Sequence, residues 1–141
     1  MLFKKMPAVV FFVAFWMFFL PNISSAAPLT WDNGAGNMQW NTSSANWSGS
    51  VWNNSNIDSA IFDGVGAGTV SITTPITVGN ITFTSAGFVL GNGTTTLSGT
   101  PTITTNADAS IASIAGTGFV RAGSGTLTMT ASSTFLGNIT V

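Results

Sequence analysis

The segments Thr69-Val70-Ser71-Ile72-Thr73 and Ile76-Thr77-Val78-Gly79-Asn80-Ile81-Thr82-Phe83-Thr84 decide how this chain folds. Val70 and Ile72 alternate with Ser71 and Thr73, and Ile81 and Phe83 alternate with Thr82 and Thr84. Successive side chains of a strand point to opposite faces, so a period of two predicts strands with one buried face and one wet face. The texture continues through Gly87 to Leu90, Thr94 to Ser98, Thr102 to Thr105, Ser110 to Ile114, Phe119 to Ala122, Thr126 to Thr130 and Phe135 to Val141. Gly, Asn or Pro separates these β-branched pieces, and no stretch carries a helical period.

Repetition narrows the architecture. Gly79-Asn80-Ile81-Thr82 recurs as Gly137-Asn138-Ile139-Thr140, and Gly-Thr steps open segments at Gly68, Gly93, Gly99, Gly116 and Gly125. The offset between the two Gly-Asn-Ile-Thr copies holds about three turns of roughly 20 residues, a solenoid repeat length. The expected fold is therefore all-β, a parallel β-solenoid. Each turn buries a few Val, Ile, Leu or Phe residues, with Thr and Asn stacked on the turns above and below. Asn is also expected to form ladders and to accept the left-handed backbone of the corners. An antiparallel β-sandwich is the alternative; it explains the alternation equally well but not the likeness between segments.

The N-terminal end has the three parts of a secretory leader. Lys4 and Lys5 precede an unbroken apolar run from Ala8 to Leu20, followed by Ser24, Ser25, Ala26 and Ala27. As a helix the run reaches roughly 20 Å, short of the ~30 Å hydrocarbon layer, which favours a cleaved signal helix over a permanent span. Ala26 and Ala27 flank the expected cut, because cutting one residue later would place the rigid ring of Pro28 at the new terminus. The chain thus divides into a signal peptide at 1–26, a Trp/Asn-rich N-terminal cap at 27–66, and solenoid repeats at 67–141 that are expected to be incomplete at the C-terminus.

Without the leader, Arg121 faces Asp32, Asp58, Asp63 and Asp108 as the only basic side chain. Nucleic acid is excluded as a partner, since neutralising a phosphate backbone takes a cluster of Lys and Arg. The chain has no cysteine, so no disulfide holds it together in the oxidising compartment an exported protein reaches. Only 5% of the residues are charged and β-branched residues abound, the opposite of a disordered tail.

Trp31, Trp40, Trp47 and Trp52 fall between turn-forming Asn-Gly and Ser-Gly steps, at separations that match neither a helix face nor one strand. A solenoid's first turn exposes an apolar interior and an unpaired strand edge, so an aromatic-rich cap is the first reading. The second is a carbohydrate-binding module in which exposed indoles stack on sugars and nearby Asn side chains bond the hydroxyls. An aromatic cleft would mark it.

The stretch Gly123-Ser124-Gly125-Thr126-Leu127-Thr128-Met129-Thr130, followed by Ser133-Thr134-Phe135, Gly137 and Thr140-Val141, resembles the autotransporter-associated β-strand repeat. Met129 stands where that pattern usually has Leu, and Leu136-Gly137-Asn138 where a Gly-Gly pair is common. Upstream, Trp31-Asp32, Trp40, Asn46-Trp47, Asp58, Ala60, Phe62, Gly68-Thr69-Val70 and Ile81-Thr82-Phe83 look like the start of such a passenger region. The resemblance implies a right-handed β-helix, exported across the inner membrane by the machinery that reads the leader. It implies display outside a Gram-negative-type outer membrane by a C-terminal β-barrel translocator, which this sequence does not include.

Catalytic chemistry finds few candidates. The expected mature part has no His, Lys or Cys to activate a nucleophile. Asp58 and Asp63 are the one close carboxylate pair, read as turn caps rather than a glycosidase dyad. Asp is too sparse for a calcium-binding coil repeat, so no metal or cofactor is expected. The Asn-x-Ser/Thr triplets at Asn41, Asn46, Asn53, Asn80, Asn92 and Asn138 carry no inference in so Asn- and Thr-rich a chain. A pectate-lyase-like enzyme would need acidic and basic groups clustered on one sheet face. The reading is a non-enzymatic passenger segment, secreted or held at the cell surface by way of the periplasm and serving as an adhesive or structural stalk, with host or matrix glycans as candidate partners.

Overall fold

Strands of a few residues with one apolar face must pair along both edges and bury that face, and this chain does both by winding. The computed structural model describes residues 26–141; the expected signal helix lies outside the described residues. The strands are β1 (Pro28–Thr30), β2 (Gln39–Trp40), β3 (Ser59–Phe62), β4 (Thr69–Ile72), β5 (Ile76–Val78), β6 (Ile81–Phe83), β7 (Phe88–Leu97), β8 (Thr102–Thr105), β9 (Ala109–Ala122), β10 (Leu127–Met129) and β11 (Thr134–Thr140). Among the described residues there is no α-helix.

The strands stack in three columns. One runs β1, β3, β6, β8, the end of β9 and the end of β11. A second runs β2, β4, the start of β7, the start of β9, and β10. The third runs β5, the end of β7, the middle of β9, and the start of β11. Every one of these ladders is parallel, and the antiparallel contacts are the isolated bridges of Trp47 with Trp31 and Ser50. A sandwich would require facing antiparallel sheets, so the β-sandwich alternative is set aside and the parallel β-solenoid, of about four turns, stands.

Bonds between successive coils join residues 17 to 23 apart. The first coil is longer, joining residues 31 and 32 apart. The repeated Gly-Asn-Ile-Thr segments lie in the same column, but two residues out of register. Ile81 faces Ile103, Ile103 faces Arg121, and it is Thr140 that faces Val120. A shift of two preserves the face of every side chain in a strand, so the repeat is readable without being in strict register.

Inward positions form lines along the stack. Ala60, Ile81 and Ile103 follow one another, as do Val70, Leu90 and Ile111, and all six are buried. Phe62 and Phe83 stack with ring centroids 5.1 Å apart and planes 14° from parallel. Arg121 takes the inward position after Ile103. Its guanidinium donates to the carbonyls of Gly123 and Gly125 and to the Thr105 hydroxyl, so the half-buried charge is met by oxygen on several sides.

The corners explain the Gly and Asn content. Gly116 has φ +102°, and a Cβ there would collide with the Leu97 carbonyl of the preceding coil, so no larger residue fits. Asn92 turns its corner at φ 63°, as expected for Asn. The expected Asn ladders take another form. Asn80 donates to Ser59 Oγ on one side and accepts from the Thr102 N–H on the other, while Asn92 donates to Ser71 Oγ. A Ser hydroxyl or a backbone amide sits nearest each Asn, because coils of unequal length do not keep like residues above one another.

The last coil is the least covered. Leu136 is 90% exposed, and Met129 and Ile139 are also exposed. Replacing Ile103 with Ala should therefore lower unfolding stability by roughly 3 kcal/mol, the cost of a cavity in a packed interior. Leu136→Ala should stay within about 0.5 kcal/mol of the parent. Denaturant titration followed by tryptophan fluorescence measures both.

Candidate functional site

Trp31, Trp40, Trp47 and Trp52 come together although the sequence spreads them over 22 positions. Trp31 follows directly on β1, and Trp40 ends β2. Trp47 is brought in by its bridges to Trp31 and Ser50. The Trp52 indole donates to the Thr77 carbonyl in β5 at 3.1 Å. Ring centroids lie 4.7 Å apart for Trp40–Trp47, 4.8 Å for Trp47–Trp52, 5.0 Å for Trp40–Trp52 and 5.3 Å for Trp31–Trp47. Two of these contacts are edge-to-face, the arrangement that the ring quadrupole favours. Phe62 packs against Trp31, Trp40 and Trp47 and passes the contact on to Phe83 and Phe88.

All four indoles are at most 1% exposed. They form a plug over the end of the coil interior rather than a cleft, and no ring face is open for a sugar to stack on. At ~25 cal/mol per Å² and about 200 Å² of ring, burial of each indole stabilises by roughly 5 kcal/mol. Among the described residues the Nε1 atoms of Trp31, Trp40 and Trp47 have no hydrogen-bond partner, a cost of ~1–3 kcal/mol each. Burial wins.

The polar residues between the tryptophans close the strand edges. At β1 the Ser48 N–H donates to the Thr30 carbonyl, the Thr30 N–H donates to Ser48 Oγ, and the Asp32 N–H donates to the Asn46 carbonyl. At β2 the Gln39 N–H donates to Asn37 Oδ1, and its carbonyl accepts from Asn46 Nδ2. At β5 Asn54 behaves like a missing strand: its Oδ1 accepts from the Thr77 N–H at 2.8 Å, and its Nδ2 donates to the Pro75 carbonyl at 2.9 Å. Each column thus begins with its outer edge bonded.

Two further asparagines hold the loops that do this. Asn46, fully buried, accepts from the Ala35 N–H and donates to Asn37 Oδ1 and the Gln39 carbonyl. Asn41 accepts from the N–H groups of Ser43 and Ser44 and donates to Gln39 and Thr73 side chains. The Asp32 carboxylate accepts from the N–H groups of Gly34 and Gly49. These clamps carry a sequence signal of their own, an amide or carboxylate beside each indole, in Trp31-Asp32, Trp40-Asn41, Asn46-Trp47 and Trp52-Asn53-Asn54.

The carboxylate pair behaves otherwise. Asp58 and Asp63 flank opposite ends of β3, with Asp58 buried and Asp63 exposed. An extended segment of that length sets their Cα atoms roughly 16 Å apart, beyond the ~5–9.5 Å at which two carboxyl groups share a glycosidic bond. Among the described residues no three His, Cys, Asp or Glu side chains gather as metal ligands. Ala26 and Ala27, at the expected leader junction, are exposed.

No protein-family model matches the chain, and no solved structure matches it. Among curated proteins it is 43% identical over 137 residues to the adhesin BmaC autotransporter of Brucella suis biovar 1 (strain 1330). The match takes in 84% of this chain and 4% of that protein, so the chain spans a small fraction of its relative's length. The chain is accordingly related in sequence to part of an autotransporter adhesin.

Truncating the plug at its centre, Trp47→Ala, should cost at least 3 kcal/mol of unfolding stability. Trp40→Phe keeps a ring and deletes an unpaired donor, whereas Trp52→Phe deletes the bond to Thr77. Trp52→Phe should therefore lie about 1 kcal/mol below Trp40→Phe in paired thermal melts.

Proposed function

We propose that this chain is the capped beginning of an autotransporter-type passenger, working at the cell surface as an adhesin-like stalk without catalysing a reaction. One observation carries the reading: a parallel coil stack closed at its first end by a buried aromatic plug, in a chain 43% identical to a stretch of an autotransporter adhesin. A stack of this kind delivers length and a repeating hydroxyl and amide surface, which suits display and contact rather than a reaction site. In this reading residues 27–66 are the cap and 67–141 the first repeats. The bare inward-position side chains of the last coil, Met129 after Ile111 and Ile139 after Phe119, are the surface on which further coils would pack, and a C-terminal β-barrel would carry the whole outward. The leader directs export through the periplasm.

Antibodies raised against the 67–141 coils test this on cells that make the natural protein. Intact cells should be labelled, and a strain lacking codons 27–141 should attach to host-cell monolayers several-fold less well. Labelling that appears only after permeabilisation would overturn the surface assignment. Unchanged attachment by the deletion strain would overturn the adhesive one.

A further inference from the structure

Among the described residues Asp58 is a charged group without a charged partner. Its side chain is 3% exposed, and its carboxylate is bonded by neutral donors, the Ala27 N–H to Oδ1 at 2.8 Å and Asn56 Nδ2 to Oδ2 at 3.3 Å. Burying a carboxylate on such terms is unfavourable, and a cation beside it relieves the cost. The only cationic side chain among the described residues, Arg121, is engaged with Gly123, Gly125 and Thr105. The backbone is also strained here: Ile57, a β-branched residue, takes φ 54° immediately before Asp58.

The atom facing Oδ1 is the main-chain nitrogen of Ala27, the residue after the expected leader junction. Pro28 has no N–H, so the start of β1 is anchored through Ala27, whose carbonyl also accepts from the Ser59 N–H at 2.9 Å. We propose that Asp58 is the receptor for the α-ammonium group that leader removal creates at Ala27. Hydrolysis of the Ala26–Ala27 peptide bond consumes one water. The new carboxylate departs with the leader, and the new amine takes up a proton and stays on Ala27. A neutral amide donor thereby becomes an ammonium ion at hydrogen-bond distance from a buried carboxylate, and processing completes the first coil. The proposal rests on the leader reading given under the proposed function.

The chain offers an unusually clean test, because Lys4 and Lys5 both precede Ala27 and a chain beginning there carries its α-amine as its single amine. The full 141-residue precursor is expressed in an exporting bacterium, the exported form is purified, and its first residue is read by mass spectrometry. Acetylation by an N-hydroxysuccinimide ester then follows the amine. The first residue should be Ala27, and the folded chain should acetylate about tenfold more slowly than the same chain in urea, since an ammonium held by a carboxylate gives up its proton less readily. Folded Asp58→Asn should lose that protection. If Asp58→Asn does not fold, a Ser inserted between Ala26 and Ala27 serves instead, moving the amine off the carboxylate and restoring the faster rate. A retained leader would overturn the leader reading and the receptor together. A different first residue, equal rates folded and unfolded, or protection that survives Asp58→Asn would overturn the receptor alone.

Discussion

A strand in a parallel stack has two edges, and each coil can satisfy only one edge of its neighbour. The first coil is therefore left with open N–H and C=O groups and an uncovered apolar interior, whatever its sequence. The extra length of that coil, which joins residues 31 and 32 apart where later coils join residues about 20 apart, is spent on this problem. Its loops supply Ser48, Asn37, Asn46 and Asn54 to the three edges and four indoles to the open end.

The two tasks are done by different chemistry because their energetics differ. Covering the interior is a matter of area, and indole is the largest side chain for it, which is why three unpaired Nε1 donors are tolerated inside the plug. Covering an edge is a matter of matching donors and acceptors. The Asn side chain is an amide like the peptide unit itself, so Asn54 can present a C=O and an N–H to β5 in nearly the spacing a real strand would. Asp58 stands apart from both tasks, the one carboxylate of the cap that is buried.

Much of the coil was legible because its signal is local. Val70, Ile72, Ile81 and Phe83 announce their inward faces by alternation alone, and the Gly-Asn-Ile-Thr repeat points to stacking. Register was less legible. The two copies of that repeat sit two residues out of line, which period-two patterning cannot detect. Arg121 was missed as an inward residue because its carbonyl partners lie past the corner, at Gly123 and Gly125. In the cap, Trp spacing could not by itself separate a plug from a binding cleft. That distinction lies in how loops close over the rings, and it depends on contacts such as Asn46 to Ala35 and Gln39 that no periodicity encodes.

Because each coil leans only on its neighbours, the ladders run along the length of the molecule and carry any pull applied to its two ends. Such a load does not shear a whole sheet at once; it opens one ladder and then the next. Each opening frees about 20 residues, roughly 70 Å of chain at full extension. A tether built this way would yield in steps, lengthening under strain while the remaining coils stay wound.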